Sequence, residues 1–109
     1  MKQQITIENA SSSLHDLAEI LDSAYWEAST IDKKDSVYNI IHIIQAELGE
    51  LAKLSIQDHH LSYEPVTKEM KHINTRLTQL RKHVDDMVMR ESTSVRLTEA
   101  IAKVLHFTG

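Results

Sequence analysis

The chain has 109 residues, a net charge of −4 and no cysteine. That length holds one domain with surface to spare for self-association, and the lack of thiols removes disulfide staples, thiolate zinc sites and cysteine nucleophiles. Two glycines, one proline and only five Phe, Trp and Tyr residues exclude a many-stranded sheet and a Gly-rich phosphate loop, leaving an all-α fold with an aliphatic core.

Met1 to Ala10 is polar and mixed, without the apolar core of a signal peptide. No stretch approaches the roughly 20 apolar residues of a membrane span. The expected setting is the cytoplasm, with no membrane partner. Ser13 with Asp16 resembles a capping box. The apolar series Leu14, Leu17, Ala18, Leu21, Ala24, Tyr25 and Ala28 then predicts a first helix ending near Thr30. Asp32 or Asp35 is the expected cap of a second helix, with a seam at Val37, Ile41, Ile44, Leu48 and Leu51 that Ile40, Ile43 and Leu54 widen. Its broad stripe predicts the most buried helix of the set, or one covered by another subunit.

Gln57 to Glu64 reads as a short connection, and Pro65 suits the first turn of a third helix. In that helix Val66, Met70, Ile73, Leu77, Leu80, Val84 and Met87 alternate steps of four and three. A period of 3.5 gives a narrow seam that packs lengthwise against partner helices, as core or as interface. A last helix is expected to begin at Ser92, Thr93 or Ser94 and to carry Leu97, Ala100, Ile101, Val104 and Leu105. The four helices predict a single antiparallel four-helix bundle over residues 1–109, completed or extended by dimerisation.

Charge divides unevenly along the chain. Residues 1–64 balance at −7 and residues 65–109 at +3, and between Lys68 and Lys82 five bases face only Glu69. Complementarity between helices or subunits explains such a division. The basic stretch lacks interleaved aromatics to stack on bases, which disfavours nucleic acid.

An antiparallel hairpin with its midpoint near Leu61 sets Glu50 level with His72, and Glu47 within about two helical turns of Glu69. Glu47, Glu50, Glu69 and His72 then gather on one flank, an oxygen-rich set suited to magnesium or manganese. Charged residues flanking an apolar seam also simply solubilise a bundle, and Glu50 has Lys53 and Lys71 within reach. His59-His60 reads as a solvated loop pair, and one Glu69-x-x-His72 element is insufficient for a di-iron bundle.

The stretch Ala46-Glu47-Leu48-Gly49-Glu50-Leu51, followed by Glu69-Met70-Lys71-His72-Ile73, resembles the EExxE and ExxD halves of the MazG-like nucleotide pyrophosphohydrolases. Those are all-α dimers or tetramers that use magnesium to hydrolyse nucleoside triphosphates to the monophosphate and pyrophosphate. The resemblance implies Glu47, Glu50, Glu69 and His72 near a magnesium or manganese ion, with a nucleotide as ligand. It covers only the central hairpin. Ala46 stands where the family has its first Glu, and His72 stands where it has Asp.

The leading expectation is therefore a non-catalytic interaction protein that forms a homodimer or binds a helical partner and needs no cofactor. One alternative is a MazG-like pyrophosphohydrolase or a degenerate nucleotide-binding relative. Another is a small nucleic-acid-binding regulator using Lys68, Lys71, Arg76, Arg81 and Lys82.

Overall fold

The computed structural model describes residues 4–108, and among them it is all-helical with no strand. Five α-helices follow in order: α1 (Ile7–Glu27), α2 (Ile31–Ala52), α3 (Ile73–Lys82), α4 (Val84–Met87) and α5 (Glu91–Thr108). Short 3₁₀ helices at Ile56–His60 and Met70–His72 lie between α2 and α3. No helix is long and apolar enough to cross a membrane.

α1 begins six residues before the expected Ser13. Thr6 is its cap, with Oγ1 accepting from the Asn9 N–H at 3.1 Å. Ile7, Ala10, Leu14, Leu17, Leu21, Ala24 and Ala28 are all buried, so the apolar period runs straight through Ser11-Ser12-Ser13. Burial along one seam outweighs the poor helix propensity of three serines. The turn after Glu27 is tight because Thr30, not Asp32 or Asp35, caps α2, with Oγ1 accepting from the Lys33 N–H at 3.2 Å. Such a short link forces α1 and α2 antiparallel.

α1 packs against both α2 and α5, while α3 packs against α5 and α2 and α4 against α5. Each wall of the core is thus one apolar helix face. α2 contributes Val37, Ile40, Ile43, Ile44 and Leu51, and α5 contributes Leu97, Ile101, Val104 and Phe107. The long axis measures 42 Å against 24 and 22 Å across.

The expected third helix from Pro65 to Met87 is broken into pieces. Residues 63–66 run without helix, α3 starts only at Ile73, and His72 and His83 both sit near φ −118°, ψ 16°, outside the helical well. The seam outlives the helix: Met70, Ile73, Leu77, Leu80 and Val84 are buried and Met87 is half-buried, while Val66, ahead of the first turn, is 48% exposed. α5 begins at Glu91, one residue before the earliest expected start.

Candidate functional site

Glu47 stands on the buried stripe of α2, in step with Ile40, Ile44 and Leu51, and is fully buried. Its Oε2 accepts from the Tyr63 hydroxyl at 2.6 Å and the Val66 N–H at 2.9 Å, and its Oε1 accepts from the Thr67 N–H at 2.8 Å. A carboxylate without water needs such donors, and here three supply them. Tyr63 is delivered by a clasp at the head of α1. Ile7 N–H donates to Leu61 O and Tyr63 N–H to Ile5 O, both at 2.8 Å. Burial pushes the Tyr63 phenol far above its ordinary pKa, and its hydrogen bond to Glu47 adds to the rise. The ring meets Phe107 of α5 edge to face, with centroids 5.6 Å apart. One node therefore joins α1, α2, the connection and α5.

The other members of the expected acidic set lie elsewhere. Glu50 pairs with Lys53 at 2.6 Å on the surface of α2. Glu69 and His72 are exposed at the two ends of the second 3₁₀ helix. Among the described residues no group of three or more His, Asp or Glu side chains is placed to hold a metal ion. The hairpin expected from sequence brought the four together; the actual connection runs from Lys53 to Glu69, and its backbone N–H groups occupy Glu47 instead. The basic residues also separate. Lys68, Lys71, Arg76, Arg81 and Lys82 are all exposed, but at about 100° per residue Arg81 and Lys82 turn roughly 140° and 240° from Arg76 around α3. His59 and His60 lie in the first 3₁₀ helix, where His59 Nε2 is buried without a hydrogen-bond partner among the described residues.

A second carboxylate repeats the pattern at the opposite end. Glu27 Oε1 accepts from the N–H groups of Met89 and Arg90, each at 2.9 Å, and Oε2 accepts from Thr93 Oγ1 at 2.6 Å. Partial desolvation raises the Glu27 pKa, but the Thr93 hydroxyl and the two N–H donors outweigh it and hold the group below its ordinary value. The last residue of α1 thus caps α5 across space. Lys33 Nζ adds a tie from α2 to the Asp86 carbonyl at 2.9 Å.

Around that end the surface is unusually apolar. Trp26, Ile31 and Met89 are 72%, 76% and 81% exposed, and Glu27, next to Trp26 in the chain, accepts from the Met89 N–H. A row of rings continues along the outer face of α1 and α2. Trp26 meets Tyr25 at 5.3 Å, Tyr25 meets Tyr38 at 6.5 Å, and Tyr38 stacks on His42 at 6.0 Å. Lys34 Nζ lies 4.7 Å from the Tyr25 centroid and 5.6 Å from that of Trp26, and donates to the Tyr25 carbonyl at 2.7 Å. Trp26 and Tyr38 face outward, 72% and 55% exposed. No family model, curated protein or solved structure matches this chain.

Proposed function

We propose that the protein is a small interaction module, a four-helix bundle that self-associates as a homodimer or binds a helical partner, without catalysis and in the cytoplasm. One observation supports this reading: the end carrying Trp26, Ile31 and Met89 leaves three large apolar side chains almost wholly in water. Isolated exposed apolar residues are ordinary, whereas a group beside an aromatic row suits an interface centre. Trp and Tyr are also the residues that concentrate binding energy in such centres.

Sedimentation equilibrium tests it. The wild-type chain is expected to associate in the micromolar range, and Trp26→Ser with Met89→Ser to shift it toward monomer while circular dichroism stays unchanged. As Trp26 is the one tryptophan, its fluorescence should move to shorter wavelength on association. A monomer at every concentration, with Trp26 emission still that of water-exposed indole, overturns self-association and leaves the helical partner. Association unchanged in the double variant overturns this end as its surface.

A further inference from the structure

A groove of about 310 Å³ runs between α2 and the α3–α4 pair. Ile40 and Leu80, both buried, and half-buried Met87 lie along it. Its polar lining comes from Ser36 and Asn39 on one side and Thr75, Arg76, Gln79 and His83 on the other. The break at His83 ends α3 at the lip of the groove.

Two features of this lining point to a ligand class. In a chain with sixteen carboxylates, none lines the groove, while a guanidinium and an imidazole do. Moreover, among the described residues the side chains of Asn39, Thr75, Arg76, Gln79 and His83 make no hydrogen bond or ion pair with the protein. Elsewhere the long-range polar contacts are spent on holding helices together, as at Glu47, Glu27 and the reciprocal Asn74–Thr108 pair. This groove keeps its donors free.

We propose that the groove binds a small monocarboxylate with an apolar body. The carboxylate sits on the Arg76 guanidinium, whose paired N–H groups match its two oxygens, with the Gln79 and Asn39 amides beside it. The apolar body lies on Ile40, Leu80 and Met87 toward His83, two helical turns and on the order of 10 Å from Arg76. The volume, at the small end for ligand sites, suits a chain or ring system of that length. This site is separate from the exposed apolar end and does not depend on it.

Octanoate is a suitable probe, titrated into the full chain and followed by amide chemical shifts. Saturable shifts confined to residues 36–40 and 75–87 are expected. Octanol and octylamine, which keep the body but remove or reverse the charge, should bind at least about tenfold more weakly, and Arg76→Gln should cost octanoate about tenfold or more. Octyl phosphate binding more tightly than octanoate would replace the carboxylate with a phosphate ester. Arg81→Gln removes the same charge from another side of α3 and should leave affinity unchanged. The proposal is overturned if octanoate gives no saturable shifts, if octanol binds equally well, or if the two arginine variants behave alike.

Discussion

The phenol of Tyr63 donates a 2.6 Å hydrogen bond to Oε2 of Glu47, and both residues are almost wholly withdrawn from water. The pair links a helix to the connection that leaves it, for the same carboxylate also accepts the N–H groups of Val66 and Thr67. Those N–H groups stand just ahead of the 3₁₀ turn at Met70, whose own first N–H is accepted by Thr67 Oγ1 at 3.2 Å. Glu47 thus holds Thr67, the acceptor at the head of that turn, from across the core. Glu27 does the same for α5 through Met89, Arg90 and Thr93. Two carboxylates, one near each end of the molecule, thus determine where the second half of the chain enters its helices.

Removing either partner in the Glu47 node leaves buried polar groups unpaired. Glu47→Gln keeps the size but turns an amide N–H₂ toward backbone N–H donors, and should cost about 2–4 kcal/mol of unfolding free energy. Tyr63→Phe removes one of three donors and should cost about 1–3 kcal/mol. Urea denaturation reads both. A cost below about 0.5 kcal/mol for Glu47→Gln would mean that the carboxylate is not the pivot of the connection.

The same node predicts behaviour in alkali. Tyr63 has a folded-state pKa raised far above its ordinary value of 10.0. The native state therefore keeps a proton that the unfolded chain releases near that pH. Stability from this group is fully present below about pH 10 and declines as pH rises beyond it. Spectrophotometric titration should show one of three tyrosines ionising only as the fold is lost. Early ionisation of all three, with helicity intact, would contradict it.

In acid the relevant group is Glu27. Its folded-state pKa lies below the ordinary 4.5, so its contribution is present above that pH and is lost as pH falls through the folded value. Glu27→Gln should cost about 1–2 kcal/mol at neutral pH, the magnitude of a strong helix cap. The gap between variant and wild type should close as pH falls below 4.5 and through the folded-state value. A gap independent of pH would assign the loss to packing rather than to the carboxylate.

What sequence made legible follows from the range of each interaction. The seam from Met70 to Val84 was visible because burial at a period of 3.5 imprints itself locally. It survives even the backbone break at His83. The start of α1 at Ile7 was hidden by three serines, although Ile7 and Ala10 already stand in step with Leu14, Leu17 and Leu21. The caps at Glu27 and Glu47 carry no local pattern, because their partners lie 62 to 66 and 16 to 20 residues away. Glu47 did leave one trace: an acid on the apolar stripe between Ile44 and Leu51. On such a stripe a carboxylate is either a ligand or an acceptor inside the core, and here it accepts from one phenol and two backbone N–H groups.

Magnesium or manganese binding is where those two readings part. To bind here, an ion would have to compete for Glu47 with the donors it already accepts from Tyr63, Val66 and Thr67, and for Glu50 with its pairing to Lys53. Calorimetry with either ion and a nucleoside triphosphate is accordingly expected to give no saturable heat. Metal-dependent heat that disappears in a Glu50→Gln, Glu69→Gln variant would restore the MazG-like reading.

Gly49 offers the last test, because it lies in the interior of α2 between Glu47 and Glu50. Glycine there costs backbone entropy on folding, and a close approach by another group would be one reason to keep it. No such approach exists: a Cβ at Gly49 meets nothing within 4 Å, and its φ is not positive. Gly49→Ala should therefore stabilise the chain by about 0.5–1 kcal/mol through the unfolded state, raising the urea midpoint without altering the slope. A loss of stability would show that a partner, such as a second copy of the chain, comes against this turn of α2 in solution, and the loss should then grow with protein concentration.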